Sequence, residues 1–219
     1  MLGKQTMKPK TVKMIPTPTI QALELLYIDM VGPFTASTLI DRLPIDFPIG
    51  AMYFIIILND YTCYIWTIFV SKRAEVIEKL LVLINQIENQ KMDGKKIKRI
   101  RWDQALEFYS EDIKKKITGP RGIFVETPGA YAHEQNPKVE RMNRTLQTAG
   151  RTQCIQAGLP EFFWPEAIRI STLVENRALM QSARQIGIPV AVLTNGVPLD
   201  VSYFRPFGCK VTVTVPPEK

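Results

Sequence analysis

Three acidic residues stand at positions where a carboxylate could carry out chemistry: Asp29, Asp103 and Glu140. Asp29 lies inside an otherwise apolar segment, where a carboxylate needs a partner or a metal ion, or loses its charge. Asp103 directly follows a strand-like segment at 97–102, and Glu140 lies one turn into a predicted helix. Carboxylate oxygens suit Mg²⁺ or Mn²⁺. Two such ions, held about 3.5–4 Å apart, can support in-line phosphoryl transfer.

Each of these acids also has an ordinary structural interpretation. Asp29 could cap the turn before Gly32-Pro33, and Asp103 could be a plain loop residue. Glu140 could simply favour the positive N-terminus of a helix. Four other acids compete for a chemical role, and they are Asp60, Glu107, Glu126 and Glu134. Taken singly, the acids therefore leave a metal site and a structural role both open.

A row of polar residues follows Glu140 along the predicted helix. Arg144, Gln147 and Arg151 recur at i+4, i+7 and i+11, so they share one helical face with it. Another face carries an apolar stripe made of Val139, Met142, Leu146 and Ala149. The acid and its arginines could form a plain i,i+4 ion pair. They could equally form a metal ligand beside a phosphate-binding row, because arginine pairs well with phosphate oxygens.

The elements that must position these residues follow from hydrophobic periodicity. Strands are predicted at 25–31, 52–59, 63–70, 97–102 and 122–126, and helices at 72–90, 111–117, 137–157 and 162–180. Three successive strands followed by helix-linked strands indicate an α/β fold with a mixed five-stranded sheet flanked by helices. The ribonuclease-H-like fold has this order of elements. A last strand is predicted at 209–215.

Composition narrows the function classes. The 219 residues are 46% hydrophobic, which is enough for a buried core and excludes a disordered tail. One histidine and no CxxC motif exclude a local zinc finger. Three separated cysteines, Cys63, Cys154 and Cys209, exclude a disulfide mini-protein and are expected to be buried. No apolar run approaches the ~20 residues of a membrane span, so no membrane partner is expected. The net charge of +7 makes nucleic acid a reasonable first partner.

Five ordered motifs resemble the integrases of copia-type retrotransposons. Residues 103–108, DQALEF, resemble the family's D-N-G-G-E-F segment, and residues 135–146, QNPKVERMNRTL, resemble its Q-N-G-V-A-E-R-x-N-R-T-L segment. Three further stretches agree, at 27–33, 159–167 and 207–211. Residues 3–4, Gly-Lys, resemble the G-K after the family's N-terminal zinc module. The chain is therefore expected to begin just after that module.

The resemblance implies a ribonuclease-H-like integrase catalytic core of the D,D-35-E type. Asp29, Asp103 and Glu140 would be both the catalytic and the metal-binding residues, with Mg²⁺ or Mn²⁺ as cofactor. The activity would be DNA 3′-end processing and strand transfer, which inserts element DNA into host DNA. Expected partners are element and target DNA and further copies of the integrase, as a homodimer or higher multimer. The expected location is the nucleus, with a cytoplasmic particle stage.

The resemblance also divides the chain and suggests its DNA contacts. A basic linker is expected at 1–24, the catalytic core at 25–180 and an extension of the core at 181–219. Candidate contacts to the DNA backbone are Lys138, Arg141, Asn143, Arg144 and Arg151. Such contacts position DNA and carry little sequence information.

Two other functions remain open at this point: a non-catalytic DNA-binding or assembly module derived from an integrase, and another ribonuclease-H-like nuclease or transposase. The chain departs from the family pattern at Gln104-Ala105-Leu106 and at Pro137, each of which replaces glycine-containing sequence. These changes reduce backbone freedom next to Asp103 and Glu140.

Overall fold

The structure is a computed structural model. The residues it describes are 19–35, 50–90, 94–102, 111–119, 121–126, 137–181, 186–196 and 200–212. The strands are β1 Leu25–Val31, β2 Tyr53–Asn59, β3 Ile65–Val70, β4 Arg99–Trp102, β5 Phe124–Glu126, β6 Met180–Gln181 and β7 Ile186–Gly187. The helices are α1 Val76–Asn89, α2 Glu111–Thr118, α3 Pro137–Ala157, α4 Trp164–Glu175 and α5 Pro189–Thr194.

The five longer strands form one mixed sheet in the order β3-β2-β1-β4-β5. β1, β2 and β3 pair antiparallel, whereas β4 pairs parallel with β1, and β5 pairs parallel with β4. The predicted α/β class and the mixed five-stranded sheet flanked by helices are thus confirmed. β6 and β7 form a separate two-stranded pair.

The central strands are apolar on both faces because helices cover both sides of the sheet. On β1, Leu26 and Ile28 point into one core layer, which also contains residues of α1. Leu25 and Tyr27 point into the other core layer, with Val139 of α3. Side chains alternate along a strand. Asp29 therefore lies on the α3 face of the sheet.

α3 and α4 approach each other closely at Gly150. A Cβ built on Gly150 would lie 3.0 Å from Cδ1 of Ile168, which is itself buried. Contact this tight leaves no room for a larger side chain unless Ile168 moves. The glycine thus allows α4 to lie against the second half of α3.

α4 ends earlier than the sequence predicted, at Glu175 instead of near residue 180. Asn176 is buried, and its side chain is bonded to the backbone of the edge strand β3. Its amide accepts a hydrogen bond from Ile65 N at 2.8 Å and donates one to Ile65 O at 2.7 Å. Farther along β3, Lys79 Nζ donates to the Phe69 carbonyl at 2.7 Å. The helix therefore stops because of a tertiary contact that hydrophobic periodicity does not reveal.

Both predicted flanking segments contribute to the core. Thr19, Ala22 and Leu23, from the segment predicted as a linker, are buried, and so is Leu193 of α5. Gly208 lies against the end of α3, since a Cβ there would come within 2.5 Å of the Cβ of Ala157. The remaining linker residues, 1–18, lie outside the described residues.

The last predicted strand and one cysteine differ from expectation. Residues 209–212 are exposed and form no strand, and residues 213–215 lie outside the described residues. The apolar pattern of this segment therefore does not produce a strand at 209–212. Cys63 and Cys154 are buried as predicted, but Cys209 is exposed.

In the described part of the chain, no helix combines the length and apolar character needed to cross a membrane.

Candidate active site

Asp29 and Glu140 line the same cleft, which has a volume of about 570 Å³. One wall is the end of β1 and the turn after it, with Asp29, Met30, Val31 and Gly32. The other wall is the first half of α3, with Glu140, Asn143, Arg144, Gln147 and Thr148. The structure therefore brings two of the three predicted acids to one site, from segments far apart in the sequence.

The chain after β1 turns where only glycine fits. Gly32 has φ +132°, and a Cβ there would lie 2.6 Å from the Met52 carbonyl oxygen. L side chains rarely adopt this backbone conformation. The turn ends β1 at Val31, two residues after Asp29, and leaves the carboxylate at the wall of the cleft.

Asn143 holds Asp29 from the neighbouring helix. The Asn143 amide donates a hydrogen bond to Asp29 Oδ2, and the Met30 N–H donates to Asp29 Oδ1 at 2.9 Å. Both side chains are nearly buried, with Asp29 9% and Asn143 5% exposed. Asn143 was predicted to contact DNA, but its amide nitrogen is engaged inside the fold. It lies beside the apolar stripe, next to Met142, and its place on the buried face of α3 is the signal that could have revealed this role.

Lys138, another predicted DNA contact, also bonds within the protein. Its Nζ donates to the Asp60 carbonyl and to Asp60 Oδ1 at 3.1 Å. Asp60 is 5% exposed and accepts a further bond from Thr19 Oγ1 at 2.7 Å. A lysine in the first helical turn meets the positive end of the helix dipole, so an acidic partner offsets that repulsion. Asp60, which the sequence left as a competing acid, thus has a structural partner.

The three predicted arginines of α3 are exposed, as DNA contact would require. Arg144 also lines the cleft beside Glu140. Arg141 and Arg151 lie on exposed parts of the same helix outside the cleft lining. Gln147, in the predicted polar row, is half-buried and lines the cleft as well.

The third predicted acid, Asp103, lies outside the described residues. β4 ends at Trp102, directly before it, and Trp102 is aligned with Ile28 in the parallel pairing of β4 with β1. Within the described ranges, no group of three or more His, Cys, Asp or Glu side chains is placed to hold an ion. The structure therefore describes two members of the predicted triad and the strand that leads to the third.

The basic strand before Asp103 is paired with an acid on the same sheet face. Arg99 donates to Glu126 Oε1 at 2.9 Å, and Arg101 Nε donates to Glu126 Oε2 at 2.6 Å. The Arg101 guanidinium lies 5.5 Å from the centre of the Tyr27 ring. Glu126 is thereby accounted for as a structural acid. The other two competing acids, Glu107 and Glu134, lie outside the described residues.

Comparison with known proteins supports the interpretation of this fold. No family model matches the chain. It is 28% identical over 202 residues to the retrovirus-related Pol polyprotein from transposon TNT 1-94 of Nicotiana tabacum. It is also 28% identical over 198 residues to the transposon Ty1-PR2 Gag-Pol polyprotein of Saccharomyces cerevisiae. These alignments cover 91% and 88% of the chain, but only 14% and 10% of the polyproteins.

A solved structure shows the same fold. The similar chain is part of the cryoEM structure of the simian T-cell lymphotropic virus intasome in complex with PP2A regulatory subunit B56 gamma. The TM-score is 0.60 at 13% identity, and the match covers 91% of this chain and 63% of that one. Together with the mixed sheet, these similarities confirm the predicted resemblance to the ribonuclease-H-like core of copia-type retrotransposon integrases.

Proposed function

We propose that this chain is an integrase catalytic core that carries out metal-dependent DNA 3′-end processing and strand transfer. The observation that carries the proposal is the cleft shared by Asp29 and Glu140, with Arg144 beside them. Two carboxylates that can bind metal ions, beside an arginine that can bind a phosphate, suit the transfer of a phosphodiester. The similarity to Pol polyproteins and to an intasome chain supports this function at the level of the family.

Asp103 is proposed as the third acid of the site. Ile28 and Trp102 are aligned neighbours on parallel strands, and each is followed directly by an aspartate in the sequence. Open α/β sheets bind ligands at the carboxyl ends of their parallel strands. The alignment of the described strands thus supports placing Asp103 beside Asp29.

The residues present fit a divalent cation. The cleft offers carboxylate oxygens, and the Asn143 Oδ1 atom is buried without a hydrogen-bond partner among the described residues. Oxygen donors of this kind are the ligands that Mg²⁺ and Mn²⁺ prefer. When bound, such ions activate water or a DNA 3′-hydroxyl and stabilise the leaving oxygen. Asp29, Asp103 and Glu140 would hold them.

The chain's own residues orient the acids and the DNA. Asn143 fixes the direction of the Asp29 carboxylate through its amide. Arg144 is exposed at the cleft, where two N–H groups of its guanidinium can donate to two oxygens of one phosphate. Arg141 and Arg151 extend the positive charge along the exposed part of α3. We assign the DNA contacts to these three arginines first, because Lys138 and Asn143 are bonded inside the protein.

The proposed partners are element and target DNA and further copies of the chain. The similar solved chain belongs to an intasome, which supports both partners. Element DNA joins host DNA in the nucleus, so the proposal places the activity there, after a cytoplasmic particle stage.

The function is tested by joining and cleavage of a branched DNA substrate with Mn²⁺. We expect the unaltered chain to be active, and Asp29→Asn and Glu140→Gln to lose activity while still binding DNA. Glu78→Gln, an exposed site on α1, is the matched control and should remain active. An unaltered chain that binds DNA but never cuts or joins it would support the non-catalytic module instead. Full activity in Asp29→Asn would rule out this site.

A further inference from the structure

Lys138 and Asp60 connect the start of α3 to two other segments of the protein. Lys138 is the second residue of α3, and its ammonium contacts both the carbonyl and the carboxylate of Asp60. The other oxygen of that carboxylate accepts the Thr19 hydroxyl hydrogen at 2.7 Å. The Asp60 N–H donates to the Leu25 carbonyl, at the beginning of β1, at 3.0 Å. One buried aspartate thus joins the first turn of α3, the segment before β1 and β1 itself.

Water has little access to the Asp60 end of this contact, whereas the Lys138 side chain is partly exposed. The Asp60 side chain is 7% exposed and the Lys138 side chain 35% exposed, with 3.1 Å between Nζ and Oδ1. A hydrogen bond between two charged groups is shorter and stronger than a neutral one. Removing the lysine would leave a buried carboxylate with one fewer partner, which is costly.

Glu140 lies between the two residues of α3 that are tied to other parts of the fold. Lys138 is two residues before it and Asn143 three residues after it. Lys138 is bonded to Asp60, and Asn143 is bonded to Asp29. A helix held at two points near one end can neither slide along its axis nor turn about it there. These two bonds, together with the buried stripe of Val139, Met142 and Leu146, therefore hold Glu140 in place relative to Asp29.

We propose that Lys138 and Asp60 form a clamp that fixes the first turn of α3 and positions Glu140 beside Asp29 for cation binding. This inference rests on the proposed function. Lys138 is a positioning residue in this proposal, because it acts through Glu140 and contacts neither DNA nor metal.

Charge and position predict opposite effects of losing Lys138, which makes the proposal testable. If only its charge mattered, removing a positive group near the cleft would strengthen cation binding. If Lys138 positions Glu140, removing it weakens cation binding, as residues that orient metal ligands typically do.

The experiment measures Mn²⁺ affinity by electron paramagnetic resonance, and amide hydrogen exchange in α3, for the full chain. We expect Lys138→Met to weaken Mn²⁺ binding about tenfold, with Lys138→Arg close to the unaltered chain. Amides of the first two turns of α3 should exchange faster in Lys138→Met, while those of α4 stay unchanged. Lys116→Met, at an exposed lysine of α2, is the matched control and should change neither readout.

The possible outcomes distinguish a failure of the Lys138–Asp60 clamp from a failure of the proposed function. Unchanged exchange in Lys138→Met, or Mn²⁺ binding as tight as in the unaltered chain or tighter, would overturn the clamp. Asp60→Asn combined with Lys138→Met should weaken binding no more than Lys138→Met alone, and additive losses would count against the clamp. If the unaltered chain binds no Mn²⁺, the proposed function fails. Faster amide exchange in the first two turns of α3 of Lys138→Met would then still show that Lys138 fixes the start of the helix.

Discussion

The amide of Asn143 on α3 donates a hydrogen bond to the carboxylate of Asp29 on β1, across 114 residues of sequence. Both side chains are nearly buried, and the Met30 N–H donates to the other carboxylate oxygen. A buried carboxylate can keep its charge when donors surround it. Asn143 therefore supplies this buried carboxylate with a donor from another part of the fold and holds it at the cleft.

Replacing Asn143 by leucine should destabilise the protein by about 1–3 kcal/mol, the usual cost of removing one partner of a buried polar group. The leucine keeps the approximate volume but leaves Asp29 with one donor fewer. Urea unfolding of the two proteins measures the difference. Arg151→Leu, an exposed site on the same helix, is the control and should stay within about 0.5 kcal/mol of the unaltered chain. Equal stability of the Asn143 and Arg151 variants would contradict the role given to the Asn143 bond.

Arg144 and Arg151 form a matched pair for testing DNA contact. Both are exposed arginines of α3, but only Arg144 lines the cleft. Arg144→Gln should weaken DNA binding at every sequence and reduce the slope of log affinity against log salt by about 1, as the loss of one phosphate contact does. Fluorescence anisotropy titrations at several salt concentrations give the slope. A larger effect from Arg151→Gln than from Arg144→Gln would place the DNA along the far half of α3 instead.

Gly150 and Ile168 should be energetically coupled. Alanine at position 150 would gain about 1 kcal/mol of helix propensity, but its Cβ would lie 3.0 Å from Ile168 Cδ1. Ile168→Val removes that atom, and the next contacts are at an ordinary 3.5 Å. We therefore expect Gly150→Ala to stabilise the Ile168→Val protein more than the unaltered one, by at least about 0.5 kcal/mol in a double-mutant cycle. If thermal unfolding shows that the effects of the two substitutions on the free energy of unfolding are additive, α3 and α4 are not tightly packed at this point.

Glu24 should make stability depend on pH. The Lys98 ammonium, which donates to Glu24 Oε1 at 2.8 Å, lowers the pKa of this carboxyl, and the N–H groups of Ile20 and Gln21 lower it further. Burial acts in the opposite direction. A carboxyl whose pKa is lowered by folding adds stability above its unfolded pKa of about 4.3, and this stability is lost as the pH falls through the folded value.

The difference in unfolding free energy between the unaltered chain and Glu24→Gln should therefore shrink as the pH falls from 7 to about 3. The loss should stay below about 1 kcal/mol, because the Lys98 side chain is 54% exposed and water screens the pair. Lys98→Met should remove most of this pH dependence. A difference that stays constant across the range would mean that Glu24 acts through packing alone.

Two elements were predicted with close bounds. β1 was predicted at Leu25–Val31, as observed, and α3 was predicted to run from Pro137 to about Ala157, which agrees with its observed bounds. Both have local signals: an apolar run that ends at Gly32-Pro33, and a proline at the first position of α3. α4 was predicted too long because apolar residues continue to Met180, while Asn176 ends the helix through β3, 111 residues away.

The site was predicted from residue types, which could not distinguish exposed polar side chains from polar side chains that are bonded inside the fold. Lys138 and Asn143 resembled Arg144 as polar residues of one helix. Their partners are Asp60 and Asp29, 78 and 114 residues away, and no local pattern reveals such contacts. Asp29 could be singled out because it lies inside an otherwise apolar strand, and Glu140 because it lies one turn into a well-defined helix.

The outer edge of the sheet has a consequence for solubility. β3 is the edge strand, and side chains occupy outward-facing backbone groups at both of its ends. Asn176 bonds Ile65 N and O, and the Lys79 ammonium bonds the Phe69 carbonyl. An unprotected edge invites pairing with a strand of another molecule and leads to aggregation. These two side chains therefore oppose edge-to-edge pairing with another molecule at both ends of β3.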